Sequence, residues 1–174
     1  MSETGEFNHF TEVDELANYL VKEKDIIIST SEAELILNYL DGHDYGIGVD
    51  QNNNFIMKDI AEDNGEVFDY SFNDVVDKVS EWNDDLLYCE QKKYNEGDLD
   101  FNETVICKER LASYRSDNKS LEMLSDRLDY DRKVKEFVNN FKEQNKMDNS
   151  KDNELSKKSM GLINNIFQRH KRGR

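Results

Sequence analysis

The stretch SFNDVVDKVSEWNDDL, residues 71–86, decides how the chain folds, because its apolar residues recur with the 3.6-residue period of an α-helix. Ser71 and Asp74 have the spacing of a capping box, in which a serine hydroxyl and a carboxylate each satisfy a backbone amide of the first turn. The pattern therefore predicts a helix that begins after Ser71 and buries one apolar face: Phe72, Val75, Val76, Val79, Trp82 and Leu86.

Two helices and three strands are predicted before this helix. Thr11 with Asp14, and Ser31 with Glu34, fit capping boxes for helices over about 12–22 and 32–41, the second ending at a left-handed Gly42. A strand-like stretch covers 26–28, and β-prone runs at 45–49, 55–60 and 67–70 are joined by turn residues. The sequence predicts an α+β fold, ααβββα, with a three-stranded antiparallel sheet covered by helices.

The second half of the chain has a helical pattern. We expect a flexible N-terminus over 1–10, an α+β domain over 11–97 and a helical extension over 98–142. Residues 143–154 are polar and are predicted to form a flexible linker. Residues 155–174 are predicted to form an amphipathic helix with a basic tail, Arg169 to Arg174, which fits a membrane surface, an acidic partner, nucleic acid or the protein's own acidic body.

Charge is the most informative feature of the composition. The chain has 38 Asp or Glu against 23 Lys or Arg, a net charge of −15. Residues 151–174 contain seven basic and two acidic residues, so residues 1–150, with 16 basic and 36 acidic, have a net charge of −20. A body of this charge repels phosphate, so we expect no direct DNA binding by it.

Five carboxylates of the helix after Ser71 fall within about 100° of one another on a helical wheel, nearly opposite its apolar face. We call this set the acidic stripe; at about 1.5 Å per residue it is roughly 16 Å long. It competes with nucleic acid for a basic groove if it is presented rigidly, and it is an ordinary solvated surface otherwise. The members of the acidic stripe are Asp74, Asp77, Glu81, Asp84 and Asp85.

A second candidate surface lies in the helical half. Tyr130, Val134, Phe137, Val138 and Phe141 form an apolar set, rotated by about 140° from Leu121, Leu124 and Leu128 on a helical wheel. The helix is expected to bend near 129–131 or to contact two partners. Tyr130, Val134, Phe137 and Phe141 are therefore the alternative partner-binding residues.

Motifs for catalysis, cofactors and metals are weak. Asp50, Asn52 and Asn54 match the opening of a calcium-binding loop, but Phe55 replaces the required glycine and Ala61 the closing glutamate, so a hairpin turn is predicted. Asp41, His43 and Asp44 would suit a metal, but they also fit an ordinary helix end. We expect no catalytic residues, cofactor or metal, and two reduced, half-buried cysteines, Cys89 and Cys107.

Four segments together resemble small acidic accessory proteins of Gram-positive conjugative elements and phages: TEVDELA at 11–17, SEAELILNYL at 31–40, GHDY at 42–45 and FNDVVD at 72–77. The resemblance covers roughly residues 11–90. This class includes antirestriction and anti-CRISPR proteins, many of which inhibit an enzyme by occupying its nucleic-acid groove. The resemblance implies an antagonist of host defence.

The resulting expectation is a cytoplasmic, non-enzymatic inhibitor from a mobile element. Its partner is a nucleic-acid-binding nuclease, and the acidic stripe imitates the charge of DNA. The alternative is a structural or regulatory adaptor of conjugation or replication machinery that binds through the helical second half. No apolar run is long enough to cross a bilayer and no signal-peptide pattern is present, so the sequence predicts neither a transmembrane segment nor secretion.

Overall fold

The computed structural model describes residues 7–171, without the side chains of Asp152, Ser159 and residues 162–171. Residues 1–6 of the expected flexible N-terminus, and the side chains of the expected basic tail, lie outside the described residues. The chain divides into two units, Met1–Leu128 and Asp129–Arg174.

The first unit is an α+β domain built around a four-stranded antiparallel sheet. Strands β1 (Asn8–His9), β2 (Tyr45–Val49), β3 (Phe55–Asp59) and β4 (Val67–Phe68) follow one another in both sequence and sheet order. The helices are α1 (Val13–Tyr19), which continues into a π-helical turn (Leu20–Lys24), α2 (Thr30–Gly42), α3 (Phe72–Glu96) and the start of α4 (Phe101–Lys171).

The predicted order ααβββα and the count of three strands are not confirmed, because β1 precedes α1 and adds a fourth strand. Asn8 and His9 pair with Val49 and Gly48. Two residues have no strand pattern of their own, and this edge forms only through pairing with β2. The predicted strand-like stretch 26–28 forms no strand.

The helix starts differ from the predicted ones at two of three positions. Glu15, not Asp14, accepts from the backbone amides of Thr11 and Glu12, at 3.2 and 3.4 Å. At the start of α2, Ser29 and Glu32 form the capping box, with bonds of 2.9 and 3.1 Å. Both Ser29 and Ser31 precede a glutamate by three residues, so the sequence pattern fits either start.

The capping box of α3 is confirmed. The Ser71 amide donates to Asp74 Oδ2 at 2.9 Å, and the Asp74 amide donates to Ser71 Oγ at 3.2 Å. At the end of α2, however, Gly42 is not left-handed; Asp44 instead has a φ of 58°. The turn into β2 therefore reverses two residues later than predicted.

The core lies between the sheet and the helices. Ile47 and Met57, which are opposite each other on β2 and β3, are at most 1% exposed. The start of α4 packs on the same core through its buried leucines at positions 121, 124 and 128. Other nearly inaccessible core side chains are Leu16, Leu20, Ile36, Leu40, Val75, Val76 and Val79.

The described residues of the second unit, 129–171, are helical. Residues 143–154, for which the sequence predicts a flexible linker, are helical throughout, and their described side chains are exposed. This range contains neither proline nor glycine, so nothing in it breaks a helix.

Candidate functional site

The acidic stripe lies on one surface of α3, and all five of its residues are exposed. The opposite surface of the helix holds Phe72, Val75 and Val79 in the core. Burial of that surface fixes the helix, so the carboxylates are presented from a rigid element rather than from a loop.

Neighbouring groups hold Asp74, Glu81 and Asp84 of the stripe. Asp74 caps the amino end of its own helix, Glu81 accepts from Lys78 Nζ at 3.0 Å, and Asp84 accepts from Asn118 Nδ2 on α4 at 2.9 Å. The hydrogen bond and charge of Glu81 raise the pKa of Lys78. Lys78 therefore stays charged and interrupts the negative surface.

Further carboxylates precede the stripe between β3 and α3. Glu62, Asp63, Glu66 and Asp69 are exposed there. Over the whole first unit, residues 1–128, 31 acidic residues stand against 11 basic ones, a net charge of −20. Residues 129–174 have 12 basic against seven acidic residues, a net charge of +5. The negative charge thus belongs to the compact α+β unit.

An aromatic row, which the sequence analysis did not identify, runs beside the stripe. His43 stacks on Trp82 with ring centroids 4.1 Å apart and an interplanar angle of 6°. Tyr45 lies 5.4 Å from Trp82 and 6.0 Å from Phe68, and Phe68 lies 5.3 Å from Tyr70. All five rings are half-buried. They come from the end of α2, from β2, from β4 and its following turn, and from α3, so no local pattern groups them.

The acidic stripe and the aromatic row meet at Lys78. Its Nζ lies 6.0 Å from the Trp82 ring centroid while bonding Glu81. A groove of about 240 Å³ opens at the same place, lined by Tyr70, Asp74, Asp77, Lys78 and Glu81. It combines a flat ring, three carboxylates and one amine.

Behind the stripe, a buried polar network joins α2, α3 and α4. Asn83 is 0% exposed and donates from Nδ2 to the Tyr39 hydroxyl at 2.9 Å and to the Tyr114 carbonyl at 3.0 Å. Its Oδ1 accepts from Asn118 at 3.0 Å, and Tyr39 donates to Asp117 at 3.0 Å. Asn83 stands four residues after Val79 on the predicted apolar face, and a polar residue at such a position is a usable sequence signal for a buried network.

The alternative binding surface lies on the second unit. Tyr130, Val134, Phe137 and Phe141 are 67%, 41%, 71% and 56% exposed, and Val138 is 40% exposed. We call these five residues the apolar face. Their spacing places them on one side of α4, as in helices that dock into apolar grooves.

The two weak metal motifs form ordinary turns. Asp50 Oδ1 accepts from the amides of Asn52 and Asn54 at 2.8 and 2.9 Å, which closes the hairpin between β2 and β3. These hydrogen bonds from Asn54 and Asn52 lower the pKa of Asp50. His43 Nδ1 lies 2.8 Å from the Tyr39 carbonyl, at the end of α2.

Over the described side chains, no group of three or more His, Cys, Asp or Glu residues is arranged to hold a metal ion. Cys89 is exposed and Cys107 buried, so neither is half-buried as expected, and both are free thiols. Within residues 7–171, no helix combines the length and apolar character required to cross a membrane.

Comparison with known proteins adds no relative: no family model, no curated protein and no solved structure matches this chain.

Proposed function

We propose that this protein is a non-enzymatic inhibitor from a mobile element, of the antirestriction or anti-CRISPR type. It binds a nucleic-acid-handling defence enzyme in the groove that normally holds DNA or RNA. The acidic stripe, centred on Asp77, Glu81 and Asp84, occupies the place of the phosphate backbone.

The observation that carries this proposal is the concentration of charge on a rigid surface. Residues 1–128 have a net charge of −20, and the stripe occupies one continuous helix, Phe72–Glu96. Duplex DNA carries one charge per about 1.7 Å of axis, so a 16 Å segment carries about nine. The stripe supplies five of these charges, and the carboxylates at positions 62, 63, 66 and 69 supply more nearby.

Preorganisation supports the same function. Asp74 and Asp84 are oriented by hydrogen bonds of 2.9 Å, from Ser71 and Asn118. Charges that are already ordered lose little conformational freedom on binding, so more of the Coulomb attraction becomes affinity. Electrostatic matching also accelerates association with a basic groove.

The test is protection of incoming DNA. The protein is expressed in a low-GC Gram-positive host with restriction and CRISPR systems, and phage plating efficiency is measured with and without it. We expect plating to rise against one of these systems, and the purified complex with its nuclease to weaken steeply between low and moderate salt. Unchanged plating against every system, or an affinity independent of salt, would contradict the proposal.

A second candidate function is that of an adaptor in conjugation or replication machinery. It is favoured by the apolar face, since three aromatic side chains more than half exposed on one helix are unusual for a surface without a partner. The full-length Phe137→Glu variant is expected to lose such a partner, while Met147→Glu, on the same helix and 69% exposed in the native chain, is expected to retain it. Equal capture of transfer proteins by both variants would contradict this function.

A further inference from the structure

The place where the aromatic row meets the acidic stripe already holds a cation. Lys78 Nζ lies 3.0 Å from Glu81 Oε2 and 6.0 Å from the centre of the Trp82 ring. The hydrogen bond and the charge of Glu81 raise the pKa of Lys78. The chain itself therefore shows that this surface accepts a positive charge between rings and carboxylates.

The Lys78 ammonium uses only part of the surface. The groove of about 240 Å³ extends along Tyr70, Asp74, Asp77 and Glu81. The aromatic row continues from Trp82 through Tyr45 and Phe68 to Tyr70, with neighbouring centroids 5.3–6.0 Å apart. A larger, planar cation can stack flat on a ring while it donates two parallel hydrogen bonds to one carboxylate, whereas an ammonium acts as a compact point charge.

We propose that this groove, with the Tyr70 ring as its aromatic wall and the Trp82 ring beside Lys78, binds an arginine side chain from a basic segment of a partner protein. Guanidinium fits better than ammonium because it is planar, stacks on aromatic faces and donates two parallel hydrogen bonds to a carboxylate. The negative charge of the surrounding unit, −20 over residues 1–128, is complementary to such a segment. The identity of the partner rests on the proposed function, since enzymes that hold nucleic acid line their grooves with arginine and lysine.

Lys78 is the internal competitor in this site. An incoming arginine displaces its ammonium from Glu81 and from the Trp82 ring, and the weakly held lysine, whose side chain is 37% exposed, moves into water. Removal of Lys78 leaves the groove open and takes the ammonium away from the Glu81 carboxylate. Lys78→Met, which keeps the aliphatic length, is therefore expected to bind arginine more tightly than the native chain.

The test uses hexa-arginine and hexa-lysine peptides and the fluorescence of Trp82, the single tryptophan of the chain. Both peptides carry the same charge, so attraction to the acidic body as a whole affects them equally. We expect hexa-arginine to bind about fivefold tighter or more, with a change in Trp82 emission. Equal affinities for the two peptides would overturn the proposal.

Two tyrosine variants separate the groove from the rest of the surface. Tyr70→Leu removes a wall of the groove and is expected to weaken hexa-arginine binding about fivefold and to abolish the preference over hexa-lysine. Tyr88→Leu removes a tyrosine of α3 that is 69% exposed and is not among the residues lining the groove, and it is expected to bind as the native protein does. Equal effects of the two variants would also overturn the proposal.

Lys78→Met keeps the test decisive if Tyr70→Leu fails to fold, because Lys78 is not part of the core. We expect about fivefold tighter binding of hexa-arginine; an unchanged or weaker affinity would reject the groove as the arginine site. The peptide results do not depend on inhibition. If the protein prefers arginine peptides but protects no phage, only the proposed nuclease partner is rejected. If it inhibits a nuclease in a charge-dependent way but does not prefer arginine, only the groove is rejected as an arginine site.

Discussion

Asn83 on α3 donates a hydrogen bond of 2.9 Å to the hydroxyl of Tyr39 on α2, from a position with no exposed surface. The same amide bonds the Tyr114 carbonyl and accepts from Asn118, so one side chain links three helices. A buried amide with all of its partners satisfied favours a single arrangement of these helices, because any shift leaves a polar group unpaired. The network also positions Asn118, which holds Asp84 of the acidic stripe.

The first prediction concerns this amide. Asn83→Ala leaves the buried Tyr39 hydroxyl, and the half-buried Tyr114 carbonyl and Asn118 amide, each without one partner. We expect the free energy of unfolding to fall by about 2–4 kcal/mol, measured by urea denaturation. Asn95→Ala, which removes an exposed amide that bonds Gln91, is expected to change it by less than about 0.5 kcal/mol. Similar losses for the two variants would show that the network does not stabilise the fold.

Tyr39 predicts a loss of stability in alkaline solution. Burial, with a further contribution from Asp117, raises the pKa of Tyr39 from its usual 10.0 to about 12. The folded state therefore holds the phenol proton more tightly than the unfolded chain does. The tighter hold on the proton adds on the order of 2 kcal/mol to the free energy of unfolding. This stabilisation is complete below pH 10 and is lost as the pH rises towards 12. In Tyr39→Phe, unfolding free energies at pH 9 and pH 12 should differ by less than in the native protein; an equal difference would contradict the assignment.

The ion pair between Arg127 on α4 and Glu32 at the start of α2 leads us to expect a lower free energy of unfolding in acid. Their closest atoms are 2.7 Å apart, and Arg127 also donates to the Ile27 carbonyl. Burial opposes ionisation of Glu32, but the bonds from Arg127 and Ser29 outweigh it and lower the pKa of Glu32. The folded state thus favours the carboxylate, so this stability is present above the unfolded pKa and is lost as the pH falls through the lower, folded pKa.

Removal of the arginine tests this pair. Arg127→Met is expected to lower the free energy of unfolding by about 1 kcal/mol at pH 7 and by less in acid, because Glu32 is then protonated in both variants. Arg132→Met breaks a contact of 3.4 Å with Asp129 on the surface of α4 and should cost almost nothing. A loss for Arg127→Met that does not diminish in acid would show that packing, not charge, holds the contact.

Gly48 predicts a steric effect at the edge of the sheet. A Cβ on Gly48 would collide with the carbonyl oxygen of Asn8 and lie 2.8 Å from the carbonyl carbon, because the backbone of β1 lies close to Gly48 where the two strands pair. Gly48→Ala is therefore expected to displace β1 and to lower the free energy of unfolding by about 1–3 kcal/mol. Gly42→Ala places its Cβ where nothing lies within 4 Å and should leave the melting temperature almost unchanged. Equal melting temperatures for the two variants would contradict the close approach of β1.

The sequence predicted α3 and the positions of the acidic stripe because both depend on local spacing and on one capping box. It did not predict β1, whose two residues form a strand only by pairing with Gly48 and Val49. The predicted start of α2 was wrong because two serines satisfy the capping-box spacing, and the sequence alone does not rank them. The aromatic row was missed for a related reason: its rings come from separate elements and are joined only by the tertiary fold.

The last prediction concerns inhibition and the acidic stripe. Reversal of three charges in Asp77→Lys, Glu81→Lys and Asp84→Lys changes the net charge of the first unit from −20 to −14. If the stripe occupies a basic groove, each reversal replaces an attraction by a repulsion at that place. We expect inhibition of the target nuclease to weaken at least about tenfold, with a shallower dependence on salt.

A charge-matched control separates the place of the charges from their sum. Three exposed glutamates outside the stripe are reversed to lysine instead, which gives the same net charge: Glu34, Glu109 and Glu122. We expect this variant to inhibit within about threefold of the native protein, since charges away from an interface alter mainly the rate of association. If both triple variants lose inhibition equally, only the overall charge matters, and the stripe is not the surface that replaces DNA.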